Sequence, residues 1–169
     1  MDGVQQLDEV LPLLREVVGG LGATQYDDPT PCAAFTVQGI LEHMIGGATM
    51  FAPAFRGEPS PQPIPTEGDT LERWQAAMTE VHAAVHSSGA RERTIASPFG
   101  PLPGEQFARY VAFDGLVHAW DLGRAAGLTV PAPPGLVAAV DAYARSLIVA
   151  EMRDGDTFAA ETEVADGAS

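Results

Sequence analysis

The sequence predicts an all-α fold: a four-helix bundle with one additional helix and short irregular connectors. Three observations lead there. Apolar residues recur at three- and four-residue spacing in five separate stretches. Glycines, prolines and capping residues bound those stretches. No long run of alternating polarity is present, and no repeat with a period of roughly 20–50 residues is visible. With 169 residues, 46% of them hydrophobic and 19% charged, the chain is sized for one domain with its own core and is not a disordered chain.

The first helix is expected over residues 4–21, with Val4, Leu7, Leu11 and Leu14 on one stripe and Gly19, Gly20 and Gly22 ending it. The second begins after Thr36 as N-cap and carries Val37, Ile40, Leu41, Met44, Ile45 and Ala48 towards Phe51 and Phe55. The prolines at 59, 61, 63 and 65 then predict a stiff polyproline-like connector within one domain. The third helix spans 70–86, through Leu71, Trp74, Met78, Val81 and Val85. One short strand at 94–96 and a turn precede the fourth and longest helix, 104–126. The fifth, 134–152, opens with proline in its first turn and presents Val137, Val140, Tyr143, Ala144, Leu147 and Ile148. The bundle is thus assigned to residues 1–153, and the acidic, aperiodic tail 154–169 is either a strap or disordered.

Composition excludes several functions. Twenty-three acids against nine bases give a net charge of −14, which repels a phosphate backbone, so no nucleic-acid partner is expected. All nine bases are arginines. Without a lysine there is neither a P-loop nor Schiff-base chemistry. No apolar run approaches the roughly 18 residues of a membrane helix, and the acidic N-terminus does not resemble an export signal. A single cysteine, Cys32, allows no internal disulfide. The expected compartment is the cytoplasm.

The fourth helix carries the chemistry. Its inward stripe reads Phe107, Val111, Asp114, His118, Asp121 or Leu122, and Ala125, which places a carboxylate and an imidazole where apolar side chains belong. At i and i+4, Asp114 and His118 share a face with Cβ atoms about 5–6 Å apart, close enough for two ligands of one ion. A buried carboxylate is costly without a partner or a metal. His43, on the second helix beside Gly46 and Gly47, is the natural third ligand. Two histidines and one carboxylate with open positions suit Zn²⁺, Fe²⁺, Ni²⁺ or Mn²⁺. On pattern alone the competing reading stands: a hydrogen-bonded Asp114–His118 core pair, with His43 unrelated. His82 and His86 also stand at i and i+4, but in the last turn of the third helix, where an exposed face near the helix dipole is the expected role. Asp121 is expected either to orient the metal site or to pair with Arg124 or Arg109. Cys32, in a TPC turn with no base near it in sequence, reads as a packed thiol rather than a nucleophile.

The segments PTPCAAFTVQGILEHMIGG, PFGPLPG and FDGLVHAWDLGRAAG, in that order, resemble the DinB-like superfamily. Within it they are similar to the actinobacterial branch related to the metal-binding domain of mycothiol-dependent maleylpyruvate isomerase. The resemblance runs from Leu7 to about Asp166, and HAWDLGRAAG is its most specific piece. It implies a four-helix bundle holding a divalent metal, zinc foremost, on the residues matching His43, Asp114 and His118. Asp114 stands where the isomerase has Glu, a shorter arm, and the isomerase's separate C-terminal domain has no counterpart here. The resemblance further implies, for an enzyme, a thiol-dependent transferase or isomerase with mycothiol as cosubstrate and an electrophilic second substrate. Arg109 and Arg124 are then the candidates for holding an anionic thiol or substrate, and no catalytic residue is assigned. The alternative is a non-catalytic metal- or small-ligand-binding module, in either case a monomer or a homodimer.

Overall fold

A computed structural model describes residues 1–60, 66–97, 99–149, 152, 153, 158 and 160. Its elements are α1 (Gly3–Gly19), α2 (Val37–Arg56), α3 (Thr70–Val85), β1 (Thr94–Ser97), β2 (Gly100–Pro103), α4 (Gly104–Ala126) and α5 (Pro134–Leu147). The all-α, DinB-like bundle expected from the sequence is the observed architecture. Among the described residues no helix is long and apolar enough to cross a membrane. Prolines 61, 63 and 65, and most of the 154–169 tail, lie outside the described residues.

Local chemistry sets the helix ends. Asp2 and Gln5 form a reciprocal capping box at the start of α1. Thr36 Oγ1 accepts from the Gly39 N–H at 3.1 Å to start α2, and Asp69 accepts from the Glu72 N–H at 3.0 Å to start α3. The start of α4 has no side-chain cap. Its first N–H groups instead donate to backbone: Gly104 to the Arg93 carbonyl at 2.8 Å and Glu105 to the Arg91 carbonyl at 2.9 Å.

The chain differs from expectation in three places. The predicted short strand is half of an antiparallel hairpin, with Thr94 opposite Pro103 and Ile95 opposite Leu102. Its second strand, GPLP, carries prolines, which a two-stranded edge accommodates because their missing N–H groups need not enter a ladder. Helix α5 ends at Leu147 and buries Leu136 and Val140, while Val137 is exposed. Finally, the buried face of α4 runs through Phe107, Ala108, Ala112, Gly115, Ala119 and Leu122, so Val111, Asp114 and Ala125 lie at its edge rather than its centre.

Helix α1 lies chiefly against α4 and α2 against α3, with α5 flanking α4. One apolar core joins all five helices, through residues such as Leu11, Ile40, Trp74, Phe107 and Leu136. The α1–α4 contact is close because glycines sit in it. A Cβ on Gly115 would stand 2.9 Å from Val10 Cγ1. At Gly104 the constraint is harder, since a Cβ there would lie 1.8 Å from the Ala90 carbonyl oxygen, a backbone atom. Gly104→Ala should therefore cost at least the ~1–3 kcal/mol typical of overpacking. Chemical denaturation checks this, and an unchanged midpoint would mean that the approach of Ala90 to α4 is looser than described.

Candidate metal centre

Two helices and one loop build the centre. Helix α2 presents His43 from its second turn, and α4 presents Asp114, His118 and Asp121. The loop before α2 is folded tightly onto itself. Thr30 Oγ1 lies 3.0 Å from the Cys32 carbonyl and 2.9 Å from that of Phe35, and Gln38 N–H donates to the Tyr26 carbonyl at 2.8 Å. That loop sets the Phe35 ring beside both histidines, with centroids 5.3 Å from His43 and 6.3 Å from His118.

His43 Nε2 lies 3.8 Å and His118 Nε2 3.5 Å from the same Asp114 oxygen, Oδ1. One ligand atom from each of the three residues lies within 4.8 Å of the others. These separations are too long for good hydrogen bonds. They are close to what an ion demands: nitrogen and oxygen ligands at about 2.0–2.2 Å from a tetrahedral centre stand about 3.3–3.6 Å apart. The donor set therefore fits a divalent metal with small side-chain adjustment.

Beyond the three donors, His118 Nδ1 faces Asp121 Oδ2 at 3.6 Å and has no hydrogen-bond partner. Among the described residues the buried polar or charged side chains are His118, Asp121 and, elsewhere, Gln6. Two of these three thus belong to one site. A carboxylate behind a metal-binding imidazole fixes its orientation and raises its basicity. Asp121 occupies that position, and the arginines do not share it.

The electrostatics follow from burial and neighbours. Burial alone would raise the Asp114 pKa, but the imidazoles of His118 and His43 hold it at about 2. Burial alone would lower that of His118, yet Asp114 and Asp121 bring it up to about 9. Without metal, the site is thus an imidazolium between two carboxylates, which is how Asp114 is compensated near the core. Tyr110, one turn before Asp114, is pushed to about 12 by burial and by the Asp114 charge, and stays a neutral phenol.

The side chains are graded in exposure: 43% for His43, 27% for Asp114 and 9% for His118. The centre therefore opens to solvent at His43 and closes at His118. A cavity of about 60 Å³, with Leu11, Phe51, Met78 and Tyr110 in its walls, adjoins His43 and Asp114. It has room for a few waters or a small apolar group.

The remaining sequence candidates fall elsewhere. Arg109 is ion-paired with Glu105 at 3.1 Å. Arg124 lines a separate groove between α4 and α5 with Trp120, Val137 and Asp141. It stands six residues past His118, about 240° around the helix, so the structure does not bring it to the centre. Cys32 is a half-buried free thiol in the loop that carries Phe35. Sequence reasoning missed Phe35 and Tyr110. Tyr110 had a readable signal, since it stands at i−4 from Asp114 on the same stripe. Phe35 had none, because only the folded loop carries it to the histidines.

The family model of the mycothiol maleylpyruvate isomerase N-terminal domain matches residues 7–123. The chain belongs to that family. The matched span takes in His43, Asp114, His118 and Asp121 and ends inside α4. Two curated relatives, uncharacterized proteins from two strains of Mycobacterium tuberculosis, are each 33% identical over 163 residues. Each of those alignments spans 95% of this chain and 88% of the relative, so α5 is shared outside the part that defines the family. No solved structure matches the chain significantly.

Proposed function

We propose that His43, Asp114 and His118 hold one divalent metal, with Zn²⁺ the best suited, and that the protein is a mycothiol-dependent transferase or isomerase acting on a small electrophile. The observation that carries this reading is the trio of donors spaced for an ion rather than for hydrogen bonds, at the solvent-facing edge of the core. A divalent cation held by two imidazoles and one carboxylate keeps positions open and stabilises a bound thiol as the nucleophilic thiolate.

The protein's own residues prepare that site. Asp121 stands behind the His118 ring, 3.6 Å from Nδ1, placed to orient it once Nε2 takes up the metal. Phe35 sets an apolar ring against both imidazoles. The half-exposed His43 edge is the route by which a cosubstrate larger than the cavity reaches the centre. The Tyr110 phenol, neutral at physiological pH and lining the cavity beside Asp114, is a hydrogen-bond donor for a polar group bound there.

One observation favours a second reading, a non-catalytic metal- or small-ligand-binding module: the space beside the donors is only about 60 Å³ and largely apolar. The readings separate on turnover. Protein purified without chelator should contain a divalent metal and conjugate or isomerise an electrophile only when mycothiol is supplied. Metal content without any thiol-dependent turnover across an electrophile screen favours the module. Asp121→Asn should weaken metal affinity about 10–100-fold while leaving the fold intact. Unchanged affinity would remove Asp121 from the site.

A further inference from the structure

A second group of donors lies away from the centre. His82 and His86, at the end of α3, converge on Asp8 of α1. His82 Nε2 is 3.0 Å and His86 Nε2 2.8 Å from one and the same oxygen, Asp8 Oδ1. The two rings stand 5.0 Å apart, nearly perpendicular. The sequence suggested an exposed face for these histidines, and they are indeed accessible, at 42% and 46% side-chain exposure. What the sequence did not show is the third member, a carboxylate 74 residues earlier in the chain than His82.

We infer that Asp8, His82 and His86 form a second divalent-metal site that fastens α1 to α3. Three arguments support it. The ligand atoms of all three residues lie within 4.8 Å of one another, and both histidines address the same carboxylate oxygen. At 3.0 and 2.8 Å these two contacts are hydrogen bonds, and an ion entering between the donors would open each by about 0.3–0.8 Å towards the tetrahedral edge of about 3.3–3.6 Å. Both histidines use Nε2, the outer nitrogen, and i,i+4 spacing on a helix lets two such atoms address one point. Two neutral imidazoles with one carboxylate select borderline divalent cations such as Zn²⁺, Ni²⁺ or Cu²⁺ over Mg²⁺ or Ca²⁺. Solvent exposure leaves the remaining positions to water.

The location gives the site a consequence. Leu7, next to Asp8, and Val81, next to His82, both line the cavity that adjoins His43 and Asp114. An ion joining Asp8 to His82 and His86 therefore ties together two walls of that cavity, from a position outside it.

The test is Zn²⁺ titration of chelated full-length protein against a chromophoric competitor, using three variants whose folding is checked by circular dichroism. Wild type should take up two equivalents. The His82→Ala/His86→Ala variant should lose one and keep the other, whereas His118→Ala should keep the equivalent that this double variant loses. Asp8→Asn, which preserves side-chain shape, should weaken that same equivalent at least tenfold. Equal stoichiometry in wild type and the double variant overturns the second site, whatever happens at His118. Unchanged affinity in Asp8→Asn overturns the three-donor arrangement. If His118→Ala loses nothing while the double variant loses one equivalent, the first centre fails and the second stands.

Discussion

His118→Ala should reduce affinity for Zn²⁺ at the His43–Asp114–His118 centre by about a hundredfold or more. The estimate divides the roughly 10–16 kcal/mol of apparent Zn²⁺ binding in four-ligand sites among the ligands, which leaves about 3 kcal/mol for each. His118 is the right residue to remove, because it is the most buried of the three proposed donors and the one with a second carboxylate, Asp121, behind it. The loss should show as a vanished thermal shift. Wild type at a hundredfold excess of metal over its dissociation constant gains about 2.7 kcal/mol by mass action, and the variant gains nothing from this centre. Measuring in the His82→Ala/His86→Ala background isolates it. A variant that retains full affinity and thermal shift there would show that the ion does not bind where we place it.

The second large effect concerns pH and the metal-free protein. The His118 pKa is raised to about 9 from an ordinary 6.5. A raised histidine contributes stability that is fully present below its unfolded pKa and is lost as pH climbs through its folded one. Chelated protein should thus be steady near pH 6 and lose on the order of 2–3 kcal/mol between about pH 6.5 and 9. Asp114, lowered to about 2 from 3.8, works at the other end, with its contribution present above 3.8 and lost as pH falls through 2. Metal cancels the trend at high pH, leaving the metal-loaded protein level between about pH 6.5 and 9. Binding must displace the His118 proton, so affinity should rise about tenfold per pH unit up to pH 9. Thermal melts of chelated and metal-loaded protein across this range test both slopes. Metal-free stability that is flat from pH 6.5 to 9 would mean that His118 is neutral in the folded protein.

The same network changes what Asp114 does. From the stripe alone Asp114 reads as a carboxylate stranded in the core, so that replacing it with leucine would relieve the metal-free fold. The structure gives it His118 and His43 as partners and leaves it partly exposed. Removing it takes a counter-charge from the buried His118 imidazolium, and Asp114→Leu should destabilise the chelated protein.

Periodicity and end signals were enough for α4, whose bounds, residues 104–126, are those expected, and for α2, whose Thr36 cap forms as expected. The phase of α4 was not legible. Its buried face includes Ala108, Ala112, Gly115 and Ala119, with Gly115 against Val10 and Leu14 of α1, and small residues do not register on a stripe drawn from large apolar ones. The spacing of Asp114 and His118 was legible because it is local. His43 was legible as a candidate third ligand from its place on α2 beside Gly46 and Gly47, and the resemblance matched it by position, although nothing in α2 alone says which face of α4 it meets. Asp8 with His82 and His86, and Phe35 with His43 and His118, are meetings of distant segments that local spacing does not encode.

The account's central claim, a divalent metal at His43, Asp114 and His118 with a position free for a thiolate, is most directly tested by cobalt substitution. Protein carrying His82→Ala/His86→Ala is loaded with one equivalent of Co²⁺ and titrated with mycothiol while its absorption is recorded. The account predicts that a sulfur-to-cobalt charge-transfer band grows to saturation at one thiol per metal, and that adding His118→Ala abolishes it. A cobalt spectrum that saturating thiol leaves unchanged, or a band that survives loss of His118, would contradict it.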